Sequence, residues 1–512
     1  MNLIPASSPY ITGNYWCSWC SQSMLLEEGS FPEIPYTDRM RANLNEKFLF
    51  DPEKGLLTAY DFGGCRSDLI ALLDDGWDVA PCDDKAKFGS LLLNPEHFPS
   101  FAVPDDPAES LKRLSDRVKS LGYRGLGIWI APQFARASRD VPDVDFIAAR
   151  EYWSERAKWC GYAGIRYWKI DWGDHCGDAA YRNMMTEVCR LYAPDLIVEH
   201  AWVRMPTDLE PEKRAADKDY QFGLKMMKSI LPYCDAFRTY DISEPFRYAS
   251  TLNRIAEVFR AVEGGKAELN TLGLINAEFM APISTGLGGS IGIMGHEAGR
   301  EKYQGKTEIL CTVEVDEAFR ALRWNRIARP FSVFKSENHI SGETLTDSMY
   351  FDQKDWPWLK GTVKQTAPAR MSRNCPLPEV RSVREDGLVP FALACRYPEG
   401  QFAVTTLLRT LDNGRRNFSI PADVSVCGAS ASKPVAVCGV YHTLKIRFDQ
   451  NIEGKKVLMQ DLLADEAEDC TDQVGISGDT LTLDGSLISR IGLAAKTHPG
   501  DISEPGLILQ LI

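Results

Sequence analysis

The sequence predicts a (β/α)8 TIM barrel followed by a C-terminal antiparallel β-sandwich domain. Three observations predict it. Short apolar, β-rich runs alternate with amphipathic helical stretches over residues 1–345; eight such runs fit that length with room for crossover helices; and residues 346–512 are strand-like and rich in turns. The boundary between two domains is therefore placed at 345/346.

The eight candidate barrel strands are Asn14–Trp19, Leu69–Asp74, Gly125–Ile130, Ile165–Asp171, Asp195–His200, Ala236–Asp241, Leu269–Ile275 and Ser290–Met294. Between them, Leu111, Leu114 and Val118 recur at helical spacing within Ala108–Val118. A helix-like stretch, Val315–Ala328, precedes the second domain. There the candidate strands are Phe402–Leu408, Pro434–Val440, Lys455–Met459 and Thr480–Leu483, separated by Gly, Asp and Pro.

Composition narrows the function. A 512-residue chain with 44% hydrophobic and 25% charged residues is ordinary for a globular protein, and the net charge of −13 argues against a nucleic-acid partner. No run approaches a membrane span, and Met1–Pro9 lacks the basic start and apolar core of a signal peptide. The 14 cysteines are scattered rather than dense, as expected of reduced thiols in a cytoplasmic protein. A homo-oligomer is compatible with this size, without a residue that argues for it.

In a parallel barrel the active site lies at the C-terminal ends of the strands, so polar residues closing an apolar strand carry the most weight. The second strand runs into Asp74-Asp75-Gly76-Trp77, which also reads as a solvated turn. On the fourth, Lys169 and Asp171 are two apart and share a side; such a pair suits a carboxylate nucleophile, or a structural ion pair. The sixth closes on Arg238 and Asp241. Carboxyls on strands four and six, flanking a substrate over the barrel axis, form the arrangement that glycoside cleavage needs. Trp16, Trp19, Trp77, Trp129, Trp168, Trp172 and Trp202 cluster near strand ends, where rings stack on sugars or fill the core.

Other motifs point to no cofactor and no metal. Cys17-Ser18-Trp19-Cys20 has no second pair at zinc-site spacing, and the histidines lack a His-Glu-x-x-His pattern. Gly286-Leu287-Gly288-Gly289-Ser290 lacks the Gly-Lys-Ser/Thr of a phosphate loop and reads as a tight turn.

Taken in order, Asp74-Asp75-Gly76-Trp77, Gly127-Ile128-Trp129-Ile130-Ala131-Pro132, Lys169-Ile170-Asp171-Trp172-Gly173 and Arg238-Thr239-Tyr240-Asp241-Ile242 resemble the α-galactosidase clan, glycoside hydrolase families 27 and 36. Leu93–Pro99, Pro282–Ser284 and Gly295–Glu297 also look like family segments, so the resemblance covers the barrel. It implies a retaining exo-α-glycosidase acting on terminal α-galactoside-like residues of an oligosaccharide or glycoside. Asp171 would be the nucleophile and Asp241 the general acid/base, with Glu244 the alternative acid. Asp74 and Asp75 would bind outer sugar hydroxyls, and Lys169 and Arg238 hydroxyls or the catalytic carboxylates. Trp77, Trp129 and Trp202 complete the substrate-binding set, with Trp16 or Trp19 as an aromatic wall.

The chain departs from the family at two points. Arg238 and Asp241 are separated by two residues where the family commonly has three. After strand five, Ala201 stands where galactose-specific members often place a glutamate for the 2-hydroxyl; a small residue there resembles the N-acetylgalactosaminidase variant, unless Glu199 or His200 turns inward. The alternatives are therefore an α-N-acetylgalactosaminidase, a β-L-arabinopyranosidase, or a catalytically idle carbohydrate-binding barrel.

Overall fold

The computed structural model describes residues 1–27, 29–79, 89–133, 145–201, 211–239, 246–302, 314–351, 361–411 and 417–512. Eight parallel strands form the first sheet: β1 (Tyr15–Cys17), β2 (Ile70–Leu73), β3 (Gly125–Ile130), β4 (Tyr167–Ile170), β5 (Ile197–Ala201), β6 (Ala236–Arg238), β7 (Leu274–Asn276) and β8 (Gly292–Ile293). Neighbours in sequence are neighbours in space, β8 pairs back onto β1, and a parallel bridge between Asn276 and Ser290 joins the remaining edges. This is the expected (β/α)8 barrel.

The crossover helices start in a repeated way. Asp106, Asp145, Asp178 and Asp217 each accept backbone N–H bonds from the first turn of the helix that follows, satisfying donors that a helix start leaves open. In Pro107–Ser120 the apolar stripe Leu111, Leu114 and Val118 is buried, as its spacing predicts. Helix Phe146–Ala163 ends at Gly164 in the left-handed region.

Strand ends depart from expectation for local reasons. Ser18 is already helical (φ −73°, ψ −17°), so β1 stops at Cys17 and Trp19 opens the helix Trp19–Met24. Leu269 and Asn270 have positive φ (51° and 54°), which breaks an extended run, and β7 begins at Leu274.

Inside the barrel, residues in register from successive strands share a layer. Cys17, Leu72, Gly127, Tyr167 and Ile197 lie at one level. Gly127 fits closely there: a Cβ would sit 3.0 Å from Tyr167 Cβ and 3.1 Å from Ile70 Cγ2, so a larger residue would press on both neighbours.

Beyond the barrel, an eight-stranded and a five-stranded sheet enclose a core that includes Val404, Val424, Leu444, Leu481 and Leu507. Most pairings are antiparallel, as expected, but Arg370–Arg373 with Phe391–Arg396, Phe402–Leu407 with Val435–Cys438, and Ala422–Ala429 with Thr443–Phe448 are parallel. The helix Asp316–Asn325 joins the two regions: the Arg320 guanidinium forks onto Asp461 at 3.0 and 3.1 Å, both side chains buried. Among the described residues no helix is long and apolar enough to cross a membrane, and the twelve cysteines are free thiols.

Candidate functional site

Strand alternation sorts the polar residues. On β4, Trp168 and Ile170 pack outward into the helix layer, so Tyr167, Lys169 and the following Asp171 face the barrel axis. Register sets Lys169 beside Trp129 of β3 and Glu199 of β5, and Ala201 beside Arg238 of β6. Polar groups from different strands thereby converge at the C-terminal mouth.

They form an arc of alternating charge. Lys169 Nζ is 2.8 Å from Asp74 Oδ2 and 3.3 Å from Glu278 Oε1. Arg238 reaches Glu278 Oε2 through Nη1 at 2.8 Å, Glu199 Oε1 through Nε at 3.1 Å, and Asp171 Oδ2 as an ion pair through Nη2 at 3.1 Å. Trp129 donates its indole N–H to the same Asp171 oxygen at 3.1 Å. Behind the strand, Arg182 Nη2 donates to the Asp171 carbonyl at 2.6 Å, tying the end of β4 to the helix Ala179–Tyr192.

Burial and neighbours shift the titrations. Burial opposes the Lys169 charge, but Asp74, Cys17 and Glu278 outweigh it and hold the ammonium well above its ordinary range. Burial also works to raise the Glu278 carboxyl, yet Arg238 and Lys169 bring it down to about 2. For Glu199 burial prevails over Arg238, raising it to about 7. Asp75 is pushed up to about 6 by burial, although Arg41 clasps it through Nε at 3.0 Å and Nη2 at 2.8 Å.

The residues singled out by sequence divide into three groups. Asp74, Lys169, Asp171, Arg238 and Trp129 meet at the barrel mouth, with Ala201 buried at the end of β5 and Trp19 half-buried above β1. Asp75 faces a cleft of about 470 Å3 shared with Asp38, Arg41, Asp78, Asn94 and His97. Trp16 and Trp77 do not join them. Both pack in the layer between strands and helices: Trp16 lies edge-on to Phe62 and His296, and Trp77 donates to the Trp129 carbonyl at 3.0 Å. For Trp16 the reason is alternation, since on β1 the inward positions belong to Tyr15 and Cys17. Asp241, Glu244 and Trp202 lie outside the described residues.

The two candidates for the 2-position are also sorted. His200 points outward to Thr186 Oγ1 at 2.8 Å and to Arg182. Glu199 points inward but is engaged by Arg238, Tyr15, Tyr167 at 2.8 Å and Asn276 at 2.6 Å.

Sequence reasoning missed Glu278, Tyr15, Cys17, Tyr167, Asn276 and Arg41. Glu278 stands two residues beyond the end of β7; the apolar run Leu269–Ile275 puts the expected strand end at Ile275, so Asn276 and Glu278 do not read as residues closing a strand. Cys17 donates its thiol to Asp74 Oδ2 at 3.0 Å and lies 3.5 Å from Lys169 Nζ, so it belongs to the polar arc. Among the described residues no group of three His, Cys, Asp or Glu side chains is arranged to hold a metal ion.

No family model matches the chain, and no curated protein matches it. Solved structures do. A GH27 β-L-arabinopyranosidase from Geobacillus stearothermophilus is similar at 10% identity over 88% of this chain and 92% of that chain, with a TM-score of 0.37. A proposed α-galactosidase from Bacteroides fragilis is similar at 11% identity over 98% and 79%, TM-score 0.42. A proposed α-N-acetylgalactosaminidase from Bacillus halodurans is similar at 12% identity over 98% and 96%, TM-score 0.39. Likeness this distant does not decide what the chain does; its own side chains have to.

Proposed function

We propose that the chain is a retaining exo-α-glycosidase acting on terminal α-galactoside-like residues. One observation carries the reading: Asp171, at the C-terminal end of β4, is held by the Trp129 indole and the Arg238 guanidinium on one oxygen, 9% exposed at the barrel mouth, with the exposed ring of Trp172 beside it. Fixing one carboxylate oxygen by an indole donor and an ion pair orients the other for attack, the positioning that covalent catalysis requires.

In the first step Asp171 bonds to the anomeric carbon while the glycosidic C–O bond breaks and Asp241 gives its proton to the leaving oxygen. In the second, Asp241 takes a proton from water, the water oxygen bonds to the anomeric carbon, and the ester to Asp171 breaks. Asp241 is assigned from its place after β6.

A second reading, an α-N-acetylgalactosaminidase, is favoured by the pairing of Glu199. With its oxygens engaged by Arg238, Tyr15, Tyr167 and Asn276, it is committed within the barrel rather than to a sugar 2-hydroxyl, and Ala201 at the end of β5 carries only a methyl group.

The test is hydrolysis of chromogenic α-galactoside, α-N-acetylgalactosaminide and β-L-arabinopyranoside by wild type beside Asp171→Asn. Activity on one of them that vanishes in the variant, with the first-formed product retaining its anomeric configuration, supports the proposal. Full activity in Asp171→Asn, or an inverted product, refutes it. Saturable binding without turnover would instead favour an idle carbohydrate-binding barrel.

A further inference from the structure

Of the charged groups at the barrel mouth, Glu278 has the most central place and the least obvious purpose. It follows β7, is 7% exposed, and touches both cations of the site: Oε1 lies 3.3 Å from Lys169 Nζ and Oε2 lies 2.8 Å from Arg238 Nη1. Tyr15 donates its hydroxyl to Oε1 at 3.1 Å. Around it, Asp74 shares Lys169, while Glu199 shares both Arg238 and Tyr15.

We infer that Glu278 is a positioning residue: it fixes Lys169 and Arg238 against each other and so sets how tightly Arg238 pairs with the proposed nucleophile, Asp171. The inference rests on the glycosidase reading for its catalytic consequence, and on geometry alone for its structural one.

Arg238 divides its three nitrogens among three carboxylates, Glu199, Glu278 and Asp171. A guanidinium shared in this way leaves Asp171 less completely neutralised than one that leans on Asp171 and Glu199 alone. A carboxylate paired more tightly is a poorer nucleophile, because part of its electron density must be withdrawn from the ion pair before it can bond to carbon. Lys169 is pinned by the same logic: with Asp74 on one side and Glu278 on the other, its flexible four-carbon stem has one place to go. Two buried cations brought together without an anion between them would repel, and a glutamate with one oxygen for each is the simplest bridge.

The test uses Glu278→Gln and Glu278→Asp in the full chain. The amide keeps the shape but offers one acceptor, and its N–H2 faces the donors of the other cation. If Glu278 positions the machinery, kcat of Glu278→Gln falls by about tenfold or more while KM moves less than about threefold, and Glu278→Asp, which keeps the charge, recovers part of kcat. Unchanged kcat, a change confined to KM, or no recovery in Glu278→Asp overturns the inference while leaving intact an activity that Asp171→Asn abolishes. Should wild type hydrolyse no glycoside, the glycosidase reading fails by itself and the crystal structure of Glu278→Gln decides the rest: displacement of Lys169 Nζ or the Arg238 guanidinium supports positioning, and unmoved cations refute it. If Glu278→Gln does not fold, Glu278→Gln combined with Lys169→Met removes one cation with the anion; recovered folding supports the charge-bridging role, and failure to recover overturns it.

Discussion

Trp129 Nε1 and Asp171 Oδ2 are 3.1 Å apart, joined across the strand pair β3 and β4 with the indole as donor. The contact depends on alternation in two strands at once, since Trp129 and Lys169 are register partners and Asp171 is two residues beyond Lys169. Trp129 thus acts as a fixed N–H at the end of a rigid strand, not as a stacking platform alone.

Replacing Trp129 by Phe keeps a buried ring and deletes the donor. A hydrogen bond to a charged group contributes about 1.5–3 kcal/mol, so kcat/KM is expected to fall by roughly 10- to 100-fold with little change in melting temperature. Steady-state kinetics beside a thermal melt check this; undiminished kcat/KM would show that the indole N–H does not hold the nucleophile.

Trp172 is 38% exposed and stands edge-on to Trp129 with ring centroids 5.9 Å apart. An exposed indole beside the proposed nucleophile suits the apolar face of a sugar. Trp172→Ala is expected to raise KM several-fold, in keeping with about 1 kcal/mol for one aromatic contact, with a smaller effect on kcat. Ligand titration of the Asp171→Asn background measures the binding loss separately from turnover.

Asp78 is 6% exposed, and its Oδ2 accepts N–H bonds from Gly89 at 2.9 Å and Leu91 at 3.1 Å. Burial outweighs these bonds and raises its carboxyl to about 7. Because the folded value lies above the unfolded value of about 4, the stabilising contribution is fully present below that pH and is lost as pH rises through 7. Asp78→Asn keeps an acceptor and cannot ionise. Its stability relative to wild type should therefore improve between pH 5 and pH 8, by roughly 2–3 kcal/mol. Melting curves of the two proteins at both pH values provide the check, and parallel behaviour would contradict it.

Arg320 and Asp461 link the barrel's last described helix to the β-domain through a buried two-pronged pair. Arg320→Ala leaves a buried carboxylate without its partner and should cost about 3–5 kcal/mol. Arg320→Lys should recover only part, because an ammonium cannot reproduce the fork. Denaturant titration of the three proteins measures both effects; a loss under about 1 kcal/mol in the alanine variant would mean that this pair does not hold the two regions together.

Much of this fold was legible along the chain. Gly125–Ile130 is a strand over the range that its apolar run indicated, and the helical spacing of Leu111, Leu114 and Val118 gave the right face. Two of the strand-end errors fall where a single residue's backbone changes the outcome, at Ser18 and at Leu269-Asn270, since one dihedral pair ends a strand without altering the hydrophobic pattern around it. Trp16 shows the same limit at the site: aromatic composition does not say which way a three-residue strand faces, and alternation turned it outward.

The repeating β–α pattern, the position of Lys169 and Asp171 on one side of a strand, and the turn-rich second half follow from local chemistry, because periodicity and strand parity are properties of neighbouring residues. Which charges meet does not. The arc from Asp74 through Lys169, Glu278 and Arg238 to Asp171 brings together residues from the ends of three strands, β2, β4 and β6, and the loop after β7, far apart in the chain. Only the closure of the barrel, which converts the order of strands into a ring, places one carboxylate between two cations and leaves Asp171 at the mouth.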